Sequence, residues 1–380
     1  MRWIKIKKII HYLIIVSLFI GLVLGSATKN IFAAPELSAD GAALMDVDSK
    51  RIIFTKNPNK ELPMASTTKV MTGIIAVEKD SLGGTIKASE EASEVIGSSI
   101  YLKEDEKLSM ENMLYGLMLE SGNDAAHAIA EHISGDVDSF NNLMNKRARE
   151  LGAVSTNFQN PHGLPAKNHY TTAKDLLILS RHAISQPVLA RIFSTKNKII
   201  PGPDEEVKFR FLRNTNKLLG KYPGADGVKT GWTEKAGRCL IFSASKDGRQ
   251  LVGTLLNAPE MYEDAQKLLD WGFSSYEQVE LLEKGEEIER IEVKNSDEEV
   301  ILLLDQKVVL PLKESERNKI SFLIKPESTI EAPIEAGKQI ASLEVVLDGE
   351  VIFESNLKAK NEVESPGFWD RLKGFIFNWG

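Results

Sequence analysis

The sequence predicts an α+β fold, in which an antiparallel sheet carries a cluster of helices, followed by a small all-β domain. Helical periodicity dominates residues 70–184, while strand-like runs precede this region and return at 237–245 and 250–256. Helices between flanking antiparallel strands indicate helices packed on a sheet. After about Ser275 the pattern changes to short, charged, alternating runs. A chain of 380 residues, 42% of them hydrophobic, is long enough to form both domains.

The first domain is expected to span residues 34–274 and the second residues 275–363. The predicted elements of the first are, in chain order, a β-hairpin at 41–54, a buried helix at 70–77, helices at 110–119 and 124–133, strands at 237–245 and 250–256, and a last helix at 264–273. In the second domain Asp348-Gly349 separates two apolar runs, which is a strong hairpin signal. The second domain holds no convincing catalytic cluster, so a spacer is its default interpretation.

The first 33 residues have the pattern of a secretory signal peptide. Four basic residues among the first eight precede an apolar stretch at 12–24, and small residues follow it. The stretch is shorter than the ~20 residues that a membrane-spanning helix needs. Cleavage is expected after Ala27 or Ala33, and an uncleaved anchor is the alternative.

Residues 364–380 are predicted to form an amphipathic helix. Six apolar side chains share one helix face: Phe368, Trp369, Leu372, Phe375, Ile376 and Trp379. The segment is too short to span a bilayer, and its two tryptophans suit an interfacial helix in one leaflet. A helix docked on the protein's own core is the alternative. Together with the signal peptide, this tail predicts an exported protein on the outer face of the cytoplasmic membrane, in the cell-wall space.

Charge and residue content argue against several classes of function. The formal net charge is −7, and removal of residues 1–33, with five basic and no acidic side chains, changes it to −12. A protein this acidic is not expected to bind nucleic acid. Cys239 is the single cysteine, so no intramolecular disulfide can form, and its apolar neighbours predict a packed strand residue. His127 and His132 do not share a helix face, so no metal site is predicted, and no cofactor either.

Three short motifs carry the candidate chemistry. In Ser66-Thr67-Thr68-Lys69 the spacing places a hydroxyl and an amine on one helix face, so Lys69 can take the proton from Ser66. Ser121-Gly122-Asn123 interrupts two helical stretches, and Lys229-Thr230-Gly231 follows a turn-rich segment. Each motif alone is a weak signal. Their order and separation match the set that surrounds one acyl-transfer site in penicillin-binding proteins and class A β-lactamases.

Further segments narrow this resemblance to the low-molecular-mass penicillin-binding proteins, the serine-type D-alanyl-D-alanine carboxypeptidases. These segments are Asn160-Pro161-His162-Gly163-Leu164, His169-Tyr170-Thr171-Thr172-Ala173 and the run 222–233. The likeness covers about residues 34–273 and continues more loosely to the end. It implies the penicillin-recognising serine acyltransferase fold, with the site between the sheet and the helical cluster. It also implies two partners, β-lactams and peptidoglycan stem peptides that end in D-Ala-D-Ala.

The resemblance also implies catalytic roles for Ser66, Lys69 and Ser121 and a binding role for Asn123. Ser66 would attack the carbonyl between two D-alanines, and water would then hydrolyse the acyl-enzyme. Lys69 would act as the base. Ser121 could relay the proton to the leaving amine, and Asn123 would hold Lys69 and the substrate backbone.

The third motif would bind the substrate. Lys229 and Thr230 would meet its terminal carboxylate by charge and hydrogen bond. Gly231, which has no side chain, would let the substrate backbone approach. The backbone amides of Ser66 and Trp232 would form the oxyanion hole.

One position departs from the family pattern. Many members carry an arginine just before the last helix of this domain, and the present chain has Met261 there. Carboxylate recognition would then rest on fewer groups. Arg238 is a candidate substitute, although a solvated strand residue is the stronger interpretation of it.

Three other functions compete with this interpretation. A β-lactamase would need a second base, but the Glu-x-x-Leu-Asn segment of class A enzymes is absent, and Gly122 stands where those usually have aspartate. A serine-dependent glutaminase fits poorly with the signal peptide and tail. A non-catalytic wall-binding protein could share the fold. However, the four side chains that the chemistry requires, Ser66, Lys69, Ser121 and Lys229, are all present.

Overall fold

The computed structural model describes residues 33–365 and confirms the predicted α+β fold with a C-terminal all-β domain. The predicted signal peptide and amphipathic tail lie, apart from their innermost residues, outside this range. Within the described range no helix has the length and apolar character needed to cross a membrane. The predicted domain boundaries stay predictions.

A five-stranded antiparallel sheet lies at the centre of the first domain. The strands of this domain are β1 Gly41–Asp46, β2 Ile52–Lys56, β3 Thr85–Lys87, β4 Lys107–Ser109, β5 Asn197–Pro201, β6 Phe209–Arg213, β7 Ala225–Thr233, β8 Gly237–Lys246 and β9 Arg249–Leu256. The sheet has the order β2-β1-β9-β8-β7, and β3–β4 and β5–β6 form separate pairs. Successive residues face opposite layers, since Ala43 and Met45 belong to one buried cluster and Ala42 and Leu44 to another.

Helices cover both faces of this sheet. They are α1 Lys69–Lys79, α2 Glu90–Ser93, α3 Met110–Tyr115, α4 Asn123–Ser134, α5 Val137–Glu150, α6 Ala173–Ile184, α7 Pro187–Ser194, α8 Leu218–Lys221 and α9 Met261–Ser275. The first eight residues of α1 are all buried, so this helix lies inside the helical layer. The opposite face of the sheet packs on α9 through Ala265, Leu268 and Leu269. Because both faces are covered, β8 and β9 are almost continuously buried.

The C-terminal domain consists of two antiparallel sheets. Its strands are β10 Glu277–Leu282, β11 Glu287–Glu292, β12 Glu299–Leu304, β13 Val308–Leu312, β14 Ile320–Pro326, β15 Gln339–Leu347 and β16 Glu350–Ala359. One sheet pairs β10 with β13, and the other has the order β11-β12-β16-β15-β14. The predicted hairpin is confirmed at β15–β16, where Asp348 and Gly349 both have positive φ as this tight turn requires.

A buried arginine joins the first domain to the second. The guanidinium of Arg51 donates to both carboxylate oxygens of Glu316, at 3.0 and 2.9 Å, and also to Pro311 O. The two side chains are only 7% and 16% exposed. The guanidinium carbon of Arg51 also lies 5.4 Å from the centre of the ring of Tyr276, the residue that directly follows α9. A bidentate pair of this kind fixes orientation as well as distance.

Two details differ from the sequence prediction. The last helix begins at Met261, three residues before its predicted start, and no side chain caps it there. The β5–β6 hairpin was not predicted, because its exposed face is apolar: Ile199, Phe209 and Phe211 face solvent while Ile200 and Leu212 are buried. Apolar residues on both faces hide the alternation that marks a half-buried strand.

We predict that Arg51→Ala lowers the free energy of unfolding by about 3–5 kcal/mol, because it leaves the Glu316 carboxylate partly buried and unpaired. Urea unfolding followed by tryptophan fluorescence measures this loss. Arg191→Ala is the matched control, since its ion pair with Glu111 is 56% and 36% exposed and should contribute at most about 1 kcal/mol. Equal losses in the two variants would contradict the proposed role of Arg51 at this junction.

Candidate active site

Ser66 lies on a short 3₁₀ turn, Ala65–Thr68, that leads directly into α1. Thr67 Oγ1 donates to Met64 O at 2.6 Å, and Thr68 Oγ1 donates to Ala65 O at 2.8 Å. Ala65 is buried with a φ of 47°, a left-handed conformation that costs an alanine about 1–2 kcal/mol. The turn cannot relax without moving α1 in the core. Ser66 is therefore held in one orientation.

The amine of Lys69 contacts three oxygens. Its Nζ lies 3.1 Å from Ser66 Oγ, 2.7 Å from Asn123 Oδ1 and 2.7 Å from His162 O. The last two are carbonyl oxygens and can only accept. A neutral amine has two N–H groups for these carbonyls and one lone pair left, which can accept from the Ser66 hydroxyl.

The environment of Lys69 favours that neutral form. The side chain is fully buried. Burial lowers the pKa of Lys69 well below its usual value, and the neighbouring Lys229 lowers it further, while Asp124 raises it. Desolvation is the larger cause because an ammonium loses its hydration in the interior. The geometry thus provides a base in contact with the hydroxyl that it would deprotonate.

Asn123 connects the second motif to both Lys69 and the loop above it. Besides holding the amine, its Nδ2 donates to Ile96 O at 2.6 Å, and its backbone N–H donates to Ser98 O at 2.7 Å. A Cβ on Gly97 would lie 2.7 Å from the same Nδ2, so this loop approaches Asn123 through a glycine with a φ of 97°. Asn123 therefore orients the base and the loop together.

Ser121 ends a wide helical turn, Gly116–Glu120, and has a left-handed φ of 65°. Its Oγ is buried and forms no hydrogen bond with the described residues. It has no direct hydrogen bond with Ser66, Lys69 or Lys229, and its role as a proton relay to the leaving amine stays a prediction. An unpaired buried hydroxyl costs free energy. This Oγ is available to bond a group that enters the site.

The third motif lies on β7, one of the two edge strands of the sheet. Lys229 is almost fully buried, and its Nζ donates to Thr230 O at 3.0 Å. Burial lowers the pKa of Lys229 to about 7, while Glu120 acts to raise it. Near neutral pH the amine is therefore only partly protonated, and an anion that binds beside it would favour the charged form.

Glycines allow the backbone of this region to approach the nucleophile. A Cβ on Gly231 would lie 2.8 Å from Ser66 N, and one on Gly163 would lie 2.0 Å from Ala65 O. No side chain fits in either place without moving backbone. Trp232 follows Gly231 with its side chain 67% exposed. The structure thus brings Gly231 against Ser66, while the indole of Trp232 points away from the core.

Thr215 is a site residue that the sequence analysis missed. Its Oγ1 lies 3.0 Å from Thr230 Oγ1. Tyr262 holds this loop, because its hydroxyl accepts from Lys217 N at 3.2 Å and lies 3.3 Å from Thr215 O. Thr215 belongs to no motif and lies 14 residues before Lys229. Only the fold shows that the two threonines meet.

Asp124 is a second residue without a sequence signal of its own. Its buried carboxylate accepts from Ser99 Oγ at 2.6 Å and from the N–H groups of Ile100 and Leu102. One carboxylate thus fixes the loop beside Asn123. A buried acid whose partners are backbone groups cannot be recognised from residue types.

The two family histidines order loops. His169 Nδ1 accepts from Gln159 N at 3.0 Å, so its Nε2 carries the proton and donates to Thr68 Oγ1 at 2.9 Å. His162 Nδ1 accepts from Leu164 N at 3.2 Å. Burial lowers the pKa of His162 to about 3 and that of His169 to about 4. Both rings are neutral near pH 7, and it is the His162 carbonyl that contacts Lys69.

Arg238, the candidate substitute for the family arginine, contacts a backbone carbonyl. Its Nη1 donates to Pro259 O at 2.7 Å, in the segment before α9.

Cys239, the next residue, is buried in β8 as expected, and burial raises the pKa of its thiol to about 11. Within residues 33–365, no group of three or more His, Cys, Asp or Glu side chains is placed to hold a metal ion.

Comparisons with known proteins agree with this geometry. A family model described as D-alanyl-D-alanine carboxypeptidase matches residues 28–260, and one for the C-terminal domain of penicillin-binding protein 5 matches residues 276–365. The carboxypeptidase DacF of Bacillus subtilis is 33% identical over 381 residues, covering 96% of this chain and 97% of that protein.

Solved structures give the same result. The crystal structure of penicillin binding protein 5 from Haemophilus influenzae superimposes with a TM-score of 0.74 at 30% identity, covering 88% of this chain and 99% of that one. The Streptomyces K15 DD-transpeptidase has a TM-score of 0.61 at 29% identity, covering 64% of this chain and 99% of that one. On these grounds the chain belongs to the D-alanyl-D-alanine carboxypeptidase family of serine hydrolases, the low-molecular-mass penicillin-binding proteins.

Proposed function

We propose that this protein removes the terminal D-alanine from peptidoglycan stem peptides through an acyl-enzyme on Ser66, and that penicillin acylates the same serine. The observation that carries this proposal is the buried Lys69 amine, 3.1 Å from Ser66 Oγ and bonded to two carbonyl oxygens. Lys69 accepts the hydroxyl proton as Ser66 attacks the carbonyl carbon. Water then hydrolyses the ester and restores the hydroxyl.

The unpaired hydroxyl of Ser121 suits the leaving amine. It is buried, close in sequence to Asn123 and without a partner among the described residues. A substrate amide nitrogen beside it would hydrogen-bond this hydroxyl, which could then pass its proton to the amine as the C–N bond breaks. The proton that Lys69 took from Ser66 would replace it on Ser121. Asn123 would hold the substrate backbone on the same side.

Backbone amides would stabilise the oxyanion. Ser66 N lies where β7 comes closest, at Gly231, and Trp232 N is the second proposed donor. Loss of one such donor typically costs about 100- to 1000-fold in rate.

Lys229 and Thr230 would bind the carboxylate of the terminal D-alanine, and Thr215 would share it. The two threonine hydroxyls are 3.0 Å apart, so a carboxylate that displaces the hydrogen bond between them can accept from both. Binding would also raise the depressed pKa of Lys229 and so complete its charge. In this chain the hydroxyls of Thr215 and Thr230 would supply part of the carboxylate binding that the arginine supplies in many members of the family. Tyr262, the residue after Met261, holds the loop that carries Thr215.

Export and membrane attachment complete the proposal. The pattern of residues 1–33 supports secretion, and the apolar face of residues 364–380 supports attachment to the outer surface of the cytoplasmic membrane. The all-β domain would act as a spacer between membrane and active site.

Ser66→Ala should abolish both D-alanine release and covalent labelling by penicillin, because both begin with the same nucleophile. Lys69→Ala should be nearly as severe, since water cannot replace an oriented amine. Release of D-alanine from a pentapeptide and mass spectrometry of the penicillin adduct measure the two steps. Ser194→Ala, an exposed serine at the end of α7, is the control. An adduct on the Ser66→Ala variant would place the nucleophile elsewhere.

Lys229→Ala should lower kcat/KM for D-alanine release. The decrease should correspond to a loss of roughly 2–5 kcal/mol in transition-state stabilisation, the cost of breaking a buried charge pair with the substrate. The same kinetics on a substrate with an amidated C-terminus should show a much smaller loss. Met261→Arg should leave penicillin labelling intact and improve or barely change turnover. A benign Lys229→Ala, together with an Arg238→Ala variant that no longer distinguishes carboxylate from amide, would move the anchoring role to Arg238.

Truncation after Ser365 should give a soluble, active enzyme that no longer binds vesicles, because six apolar side chains leave with the tail. Burying one such side chain fully is worth roughly 1.5–3 kcal/mol, so six partly buried ones suffice for attachment. Flotation of the full-length and truncated proteins with liposomes measures binding. Unfolding or inactivation of the truncated protein would show instead that the tail packs on the protein core.

A further inference from the structure

A cleft of about 860 Å³ opens between the first and the second domain. The first domain contributes the turn 48–50, after β1, and the side chain of Arg181 on α6. The second domain contributes Gln306 and Lys307, after β12, and residues of β16 between Val351 and Asn356. The volume is in the range of ligand-binding sites, which often lie at domain interfaces.

This cleft is remote from the candidate active site. Ser66 N lies against Gly231, at the end of the sheet where β1 begins, whereas the turn 48–50 follows the other end of β1. Strand β1 has six residues, so roughly 20 Å of sheet separates the two levels. The cleft can therefore be occupied while the active site is also occupied.

Side chains of both charges line the cleft: Lys50, Arg181, Lys307, Asp48 and Glu354. Within residues 33–365 none of the five forms an ion pair, and the hydrogen bond of the Arg181 side chain runs from Nε to Val47 O at 3.2 Å. Close by, Arg51 pairs with Glu316. A ligand that carries both a carboxylate and an amine would complement these charges better than a simple anion or cation.

The wall of the cleft is an open strand edge. Strand β16 pairs with β15 along its length, but β12 pairs only with its last part, from Leu357 to Ala359. Among the described residues, the backbone of 351–355 has no hydrogen-bond partner on this second side, and the first bond there joins Asp305 N to Asn356 O at 3.1 Å. In an antiparallel strand alternate residues direct N–H and C=O groups away from the neighbour. Such an edge can pair with an extended peptide.

We infer that this cleft binds a zwitterionic peptide in extended conformation along β16, and that the peptide is a second stem peptide of the cell wall. The assignment to a stem peptide rests on the proposed function. The open edge supplies backbone hydrogen bonds, the charges of the cleft meet carboxylates and amines, and Val309, Val351 and Phe353 contact aliphatic side chains. Five residues of strand span about 17 Å, which is enough for a tripeptide.

This site would hold the enzyme on its polymeric substrate. A stem bound in the cleft keeps neighbouring stems of the same polymer close to Ser66, which raises their effective concentration. A free pentapeptide gains nothing from the cleft, because one molecule cannot occupy both sites. The all-β domain would then contribute to binding as well as act as a spacer.

The first test measures binding to full-length protein whose Ser66 already carries penicillin, so that the active site is blocked. The probe is the tripeptide L-Ala-γ-D-Glu-L-Lys, which has two carboxylates and two amines and lacks D-Ala-D-Ala. We expect saturable binding of one peptide per chain in calorimetry, with a Kd below about 1 mM. The same peptide with methylated peptide nitrogens should bind about fivefold more weakly, because it cannot donate to the strand edge.

The variant Lys50→Glu/Lys307→Glu should weaken tripeptide binding by about tenfold or more, since it reverses one charge on each side of the cleft. The matched control is Lys107→Glu/Lys284→Glu. It also changes one exposed lysine in each domain, and within the described part of the chain neither lysine forms an ion pair or lines the cleft. This control should bind the tripeptide as the wild type does.

The second test compares D-alanine release from isolated cell walls and from a free pentapeptide. The cleft variant should show a KM about fivefold higher on cell walls, expressed per stem peptide, because polymer is no longer retained. Its kcat/KM on the free pentapeptide should equal that of the wild type, which also shows that the variant is folded. The Lys107→Glu/Lys284→Glu control should match the wild type on both substrates.

The possible failures are distinguishable. No tripeptide binding, equal binding by the cleft variant and the wild type, or an equal KM on cell walls would each overturn this inference and leave the proposed function intact. A wild type that neither releases D-alanine nor reacts with penicillin would overturn the proposed function, and with it the assignment of the bound peptide to a stem.

Discussion

Removal of the Lys69 amine from water is the constraint on which the rest of the active site depends. An ammonium is costly to bury, so the pKa of the Lys69 amine lies well below that of a surface lysine. The packing of α1 offsets the free-energy cost of burying this amine. The other buried residues of the helix are apolar or carry a hydroxyl, and they secure it in the core. Two carbonyl oxygens, from Asn123 and His162, then fix where the remaining lone pair points. The core thus supplies both the chemical state and the orientation of the base.

The opposite end of the site follows a different electrostatic rule. Lys229 is also buried, but its pKa of about 7 leaves it close to protonation, and among the described residues its amine bonds only its own neighbour's carbonyl. Lys229 forms no ion pair with a carboxylate of the described residues. Burial therefore favours the neutral form of Lys69, whereas Lys229 would gain its charge from what it binds. Two identical side chains obtain opposite roles from their environments.

Much of this arrangement could be predicted from the sequence, because local spacing fixes it. The i, i+3 spacing of Ser66 and Lys69 places both on one face of any helix, and the apolar runs of β8 and β9 mark strands of a covered sheet. Contacts that depend on chain folding over long distances could not be predicted. Thr215 contacts Thr230, and Asp124 hydrogen-bonds a loop some 25 residues earlier in the chain. Both contacts exist only because the sheet and the helices bring these distant segments together. The early start of α9 was hidden because no capping side chain precedes Met261.

The contact between Gly231 and the Ser66 amide has a consequence for inhibitor resistance. A Cβ on Gly231 would lie 2.8 Å from Ser66 N and 3.1 Å from both Ala65 Cβ and Thr67 N, so there is no space for a side chain between β7 and the turn that carries Ser66. A point mutation changes a side chain and leaves the peptide N–H in place, whereas any larger residue at 231 would push the strand off the serine. If the proposed function is right, a substitution at Gly231 would therefore impair acylation by a drug and hydrolysis of the natural peptide together. The exposed indole of Trp232, the next residue, is under no such steric restriction.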